Sequence, residues 1–225
     1  MPVRRVSNRG GNIVGYFPSV KLERMVAFES TIERDLLYLL DFEPHVESFA
    51  EQPLVITYWE GTKKRTYTPD FQVKFTNGQT TLVECKPEAL VKKEQNVMKF
   101  AAGEAWCTER GWKYEVITDQ ALRRGFRLDN VKFLTRFARH ELPLTLEYQI
   151  KAVVASCDRP LSLQDVIDRV TSESPPVVRA MMFQLVFFNE LVLPLDERPI
   201  DLDMPIQLAP TKEKDSEHAK ILAQY

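Results

Sequence analysis

The dipeptide Asn77-Gly78 is the feature that most narrows what this chain can fold into. Asn-Gly tolerates the positive φ angles that a tight type I′ turn demands, and between apolar alternating runs it is the strongest short-range hairpin signal. It stands between RTYTPDFQVKF (65–75) and QTTLVECK (79–86), both rich in the β-branched and aromatic residues that suit a pleated surface. The two runs are expected to pair as antiparallel partners, with Pro69 marking an edge or bulge and Pro87 ending the return strand. Alternate residues of a strand share a face, so Glu84 and Lys86 project together while Val83 and Cys85 turn to the other side. The same turn folds Asp70 back towards Glu84.

The neighbouring segments fill in a mixed sheet. Ser30 with Glu33 three residues on has the form of a capping box, and Ile32, Leu36, Leu39 and Leu40 follow at helical spacing. Pro44 predicts the end of that helix near Phe42. PLVITYW (53–59) reads as a strand, with Gly61 at a turn. KKEQNVMKFAAGEAWCTERG (92–111) reads as a helix with Val97, Phe100, Ala101, Ala105 and Cys107 inward and Gly111 at its C-terminal cap. KYEVIT (113–118) is a further strand, and residues 119–124 a short helix. The order α-β-β-β-α-β sets a hairpin beside a right-handed β-α-β crossover, giving an α/β (α+β) fold with helices on both faces of a mixed sheet.

The composition changes after about Arg127. Helices are expected over 131–140 and 145–156, over LSLQDVIDRV (161–170) opened by Pro160, Leu161 and Ser162, and over PPVVRAMMFQLVFFNE (175–190), followed by extended LVLPLDERPI (191–200). Three helices and then a strand or hairpin is the pattern of a winged helix-turn-helix. The chain is thus expected to comprise a basic arm (1–20), a mixed-sheet domain (21–126), a helical, winged-helix-like domain (127–208) and a loose polar tail (209–225).

Composition chiefly excludes. With 30 Lys+Arg against 32 Asp+Glu the net charge is −2, so nucleic-acid contact would have to come from a local patch. Eight glycines and no G-x-x-x-x-G-K or G-x-G-x-x-G string argue against those nucleotide loops. No apolar run is long enough to span a bilayer, and none follows the N-terminal arginines as a secretory signal would require. Cys85, Cys107 and Cys157 form no C-x-x-C pair, which fits a reducing cytoplasm.

The chemistry that suits Asp70, Glu84 and Lys86 is metal-assisted phosphodiester hydrolysis. Two hard carboxylates suit magnesium, which keeps several waters and needs no full protein cage. The ion would neutralise charge on the phosphate and acidify the attacking water, while Lys86 would orient that water or stabilise developing negative charge. Glu33 is the candidate for a further carboxylate, alongside its capping role, and Gln52 could approach the site or DNA. Arg4, Arg5, Arg9, Lys21, Lys92 and Lys93 are candidate phosphate contacts. The helix over 175–190 carries Arg179 but little other positive charge, so its domain is expected to dock protein rather than read DNA.

The series from Glu29 to Val46 (ES-x-x-ER-D-x-L-x-LLDF-x-P-x-V), then EQPL-x-I-x-Y (51–58), YTPDF (67–71) and VECKP (83–87), resembles TnsA, the endonuclease subunit of heteromeric cut-and-paste transposases. GYFPSVK (15–21) is also similar to the family's N-terminal stretch. The resemblance implies a restriction-endonuclease-like PD-(D/E)XK core, with Glu33, Asp70 and Glu84 as the acidic metal-binding set and Lys86 as the catalytic lysine. Some members carry glutamine where this chain keeps Glu84. It further implies magnesium dependence, with manganese as a substitute, and nicking of the non-transferred strand at the 5′ ends of a transposon in a bacterial cytoplasm. The implied partners are transposon-end DNA, a DDE transposase that cuts and joins the 3′ ends, and an AAA+ ATPase regulator. A free-standing restriction or repair nuclease and an inactive DNA-binding scaffold are the other readings.

Overall fold

A computed structural model describes residues 13–210, so Arg4, Arg5, Arg9 and most of the expected tail lie outside the described residues. The chain divides into two compact units, one ending at Arg124 and the other beginning at Gly125. No helix among the described residues is long and apolar enough to cross a membrane.

The first unit opens with β1 (Gly15–Ser19) and β2 (Arg24–Phe28), an antiparallel ribbon. Residues 15–19 were expected within a free basic arm; they are instead a strand whose Phe17 and Ser19 are buried. The cause is non-local. Asp41, near the end of α1 (Thr31–Phe42), accepts the backbone N–H groups of Val20 (2.9 Å) and Lys21 (3.0 Å) and the Ser19 hydroxyl. A buried carboxylate satisfied by three donors holds the ribbon's turn against the helix. Arg24 reinforces this with a two-pronged bond to Glu51, at 2.9 and 2.7 Å, tying β2 to the next strand.

After α1 come β3 (Val46–Glu51), β4 (Ile56–Glu60), β5 (Lys63–Tyr67), β6 (Phe71–Phe75) and β7 (Thr80–Lys86). The short α2 (Glu88–Val91), α3 (Glu94–Thr108), β8 (Lys113–Thr118) and α4 (Asp119–Leu122) complete the unit. Strands β3-β6-β7-β8 form one sheet in that order, with β6 and β7 antiparallel around Asn77-Gly78 and β7 and β8 parallel. The extended run expected over 65–75 is broken at Thr68-Pro69: β5 pairs only with β4 in a separate ribbon, and β6 starts afresh at Phe71.

β7 is the central strand, and Thr81 to Cys85 are buried on both faces. On one face Leu82 packs with Ile56 and Cys107, surrounded by Leu54, Tyr67, Trp106, Trp112 and Tyr114. The inward face of α3 includes the expected Phe100 and Cys107 but not the expected Val97, Ala101 and Ala105. Val97 is 52% exposed and Ala101 and Ala105 are also exposed, whereas Gly103 and Cys107 are buried and Lys99, Phe100 and Trp106 half-buried. Counting apolar residues favours the Val97 face, but Gly103 sets the register. A methyl group there would lie 2.1 Å from the Tyr67 hydroxyl and 2.4 Å from the Tyr114 ring, so only glycine lets the helix approach these tyrosines.

The second unit contains α5 (Arg127–Thr135), α6 (Leu144–Ala155), β9 (Leu161–Ser162), α7 (Leu163–Arg169), α8 (Pro175–Phe187), β10 (Leu191–Val192) and β11 (Pro205–Leu208). Ser162 and Asp165 close a reciprocal capping box at the start of α7. The strands form a small sheet in the order β10-β11-β9. The expected strand over 191–200 shrinks to two residues. Beyond it the chain is held by Asn130, whose buried amide donates to the carbonyls of Leu195 (2.7 Å) and Arg198 (2.8 Å) and accepts Ile200 N–H (3.0 Å). Helix α8 is the core of this unit. It is contacted by α5, α6 and α7, and Phe183 packs edge-on against Phe133 and tilted against Phe137, both at 5.0 Å.

Gly103→Ala forces α3 away from Tyr67 and Tyr114 and is expected to cost about 1–3 kcal/mol, the usual range for overpacking a filled core. The midpoint of urea unfolding measures it, and an unchanged midpoint contradicts the packing described.

Candidate active site

The hairpin register decides where the acids meet. Phe71 pairs with Val83, so Asp70, one residue beyond the ladder, falls beside Glu84 and Cys85. The register is fixed there by a hydrogen bond: Cys85 N–H donates to Asp70 Oδ2 at 2.7 Å. On the other side Gln52 N–H donates to the Asp70 carbonyl at 2.8 Å, with Gln52 itself in the left-handed region at φ +44°. Asp70 is thus held by both neighbouring strands. The Gln52 side chain is buried, and its amide oxygen has no partner.

Glu84 is 1% exposed, an unusual place for a carboxylate. Its Oε1 receives two ammonium groups, Lys86 Nζ at 3.1 Å from the same strand and Lys99 Nζ from α3 in closer contact. Its Oε2 is buried and has no hydrogen-bond partner. Lys99 also lies over the Tyr67 ring, 5.1 Å from its centroid. Sequence reasoning placed Asp70, Glu84 and Lys86 together, and the structure brings these three together. It missed Lys99, because no local signal in the sequence turns that side of α3 inward.

Glu33 stands at the start of α1 and is buried. Its carboxylate accepts Ser30 Oγ–H (2.9 Å) and Glu29 N–H (2.8 Å), while Ser30 Oγ accepts Glu33 N–H (3.1 Å). Ser30 therefore caps α1, while the Glu33 carboxylate takes the N–H of Glu29 rather than that of Ser30, so the expected capping box is only half formed. Glu33 also lies within electrostatic reach of Glu84 and Asp70. Burial raises the Glu33 and Asp70 carboxyls above the ordinary carboxylate range, Asp70 well above it, and the neighbouring acids push further the same way. Burial works against the charge on Lys86, but Glu84 and Asp70 outweigh it and leave its ammonium more firmly protonated than usual.

Among the described residues no group of three or more His, Cys, Asp or Glu side chains is assembled around one point. A hydrated magnesium ion does not require such a cage, since one or two carboxylates plus water suffice. The donor set fits that ion: Glu84 Oε2 is an orphaned carboxylate oxygen, and Asp70 is a hard ligand beside it, crowded by like charge.

The expected phosphate contacts divide. Lys92 and Lys93 are exposed immediately before α3. Lys21 is not free: its ammonium donates to the backbone carbonyls of Glu43 and Val46 (2.7 Å to the latter), closing the C-terminal end of α1. Burial lowers its pKa to about 8, against the opposing pull of Asp41 and Glu43. A lysine so engaged serves as a structural cap.

The sheet order and the acids at the hairpin mouth describe a restriction-endonuclease-like domain. Residues 43–119, about a third of the chain, match the family model for the TnsA-like endonuclease N-terminal domain. The match spans Asp70, Glu84, Lys86 and Lys99 and stops short of Glu33 and of the second unit. No curated protein matches the chain.

Because the folded-state pKa of Asp70 is raised, its contribution to stability is complete below the unfolded-state value and is lost as pH rises through the folded one. Asp70→Asn removes that loss. The metal-free variant is expected to melt above the parent at pH 8, with the difference closing towards pH 4. A variant less stable than the parent at pH 8 contradicts the charge crowding.

Proposed function

We propose that this protein is the endonuclease subunit of a heteromeric transposase, hydrolysing the non-transferred strand at the 5′ ends of a transposon. The observation that carries the reading is the meeting of Asp70, Glu84 and Lys86 at the mouth of the β6–β7 hairpin, within the segment that matches the TnsA-like family. Asp70 and Glu84 Oε2 would hold magnesium, or manganese in its place, with Glu33 as a more distant acid. The ion supplies charge neutralisation at the phosphate and acidifies water. Lys86 keeps a firmly charged ammonium at Glu84 and would donate to the phosphate as negative charge builds. Glu33, capped by Ser30 and Glu29, adds negative potential without needing to leave the helix terminus. Lys92 and Lys93 would line the path of the DNA backbone.

The second unit supports a docking role. Its order, α6, β9, α7, α8, β10, β11 with sheet order β10-β11-β9, is the connectivity of a winged helix. In such domains the helix equivalent to α8 enters the major groove. Here Val178, Met181, Met182, Phe183, Leu185, Val186 and Phe187 are all buried, and Arg179 is the single basic residue of α8. With so little positive charge α8 is poorly suited to a phosphate-lined groove, so this unit would bind the DDE transposase or the AAA+ regulator.

The deciding experiment is end cleavage with the purified transposase and regulator present. Asp70→Ala is expected to abolish 5′-strand nicking while the partner still joins 3′ ends, converting simple insertions into cointegrates. Continued simple insertion contradicts the assignment. Sequence-specific double-strand cleavage by the protein alone would favour a free-standing nuclease instead.

A further inference from the structure

Lys99 is the residue of the site that the reaction, as described so far, does not use. Glu84 is almost completely shielded from water, where an uncompensated carboxylate is costly. Lys86 alone could compensate it, yet α3 delivers a second ammonium to the same oxygen, Oε1. Both cations crowd one side of the carboxylate, and the opposite oxygen, Oε2, is buried and empty of partners. The formal charges around the hairpin mouth are three acids, Glu33, Asp70 and Glu84, against two amines, Lys86 and Lys99. With all ionised the cluster is one unit negative; a divalent cation would turn it one unit positive.

We propose that Lys99 is a placeholder cation: it holds Glu84 in the metal-free protein and gives up Glu84 when a divalent ion binds. The inference rests on the metal-dependent nuclease reading and adds to it a residue of α3. Lys86 is fixed by its place two residues along the same strand. Lys99 has the freedom to leave, because its stem comes from another element and its ammonium already lies 5.1 Å from the Tyr67 ring centroid and 6.0 Å from that of Phe100. Aromatic faces attract a cation without fixing its direction. From there the ammonium remains near the negatively charged diester that the site would receive. The close approach of α3 at Gly103 keeps it within reach.

The placeholder competes with the metal, and this fixes the sign of the test. The full-length protein is titrated with Mn2+ alone by calorimetry, without DNA, and melted in parallel with and without the ion. Lys99→Met and Lys99→Gln are expected to bind Mn2+ about tenfold more tightly than the parent, since a neighbouring positive charge has been removed. Their metal-free melting temperatures fall and their metal-induced gains grow. Lys99→Arg keeps the charge and should restore parental affinity. Unchanged or weaker Mn2+ binding by Lys99→Gln overturns the proposal, as does a Lys99→Arg protein that behaves like Lys99→Gln. Lys99→Gln decides the question if Lys99→Met fails to fold. Glu84→Gln separates the two levels: if it binds Mn2+ as well as the parent, the ion does not enter this site, and the metal-dependent reading falls together with the placeholder.

Discussion

The hydrogen bond from Cys85 N–H to Asp70 Oδ2 is the interaction on which the site depends. It fixes the first acid to the strand that carries the second, at the point where the β6–β7 ladder ends. Everything chemical follows from that placement. A carboxylate one residue beyond the last paired position has left the ladder but not the protein, so it is half-buried and stands beside the fully buried carboxylate of Glu84. Such crowding is unfavourable for the folded chain and suits a bound cation. The domain places its least comfortable charges where a divalent ion would relieve them, as expected when stability is yielded for function.

The sequence makes this core legible because the information is local. Asn77-Gly78 dictates the turn, alternation sorts Glu84 and Lys86 from Val83 and Cys85, and Ser30-x-x-Glu33 announces the start of α1. What is not legible is set by contacts between distant segments. Lys21 looks like a phosphate contact; only the carbonyls of Glu43 and Val46, supplied by another element, make it a cap. Residues 15–19 look like arm for the same reason, since Asp41 orders the turn that follows them. In α3 Val97, Ala101 and Ala105 point outward while the residues that meet the site point in. Lys99 faces inward for Glu84, and Gly103 faces inward for two tyrosines, so a hydrophobic count selects the wrong side.

The two units carry different kinds of information. The first concentrates charge in its interior and matches a nuclease family over residues 43–119. The second buries a helix of Val, Met and Phe from several sides and uses Asn130 to fasten an irregular loop. Arg179 is the single basic residue of α8, which is why we propose partner docking rather than DNA reading for this unit.

The most direct measurement is anomalous X-ray scattering from crystals of the protein soaked in manganese. The account predicts a peak within coordination distance of Glu84 Oε2 and the Asp70 carboxylate, about 2.0–2.2 Å from each oxygen as for a small hard cation. Manganese bound elsewhere on the protein, with Glu84 Oε2 still unpartnered and both lysines still on Oε1, would contradict it.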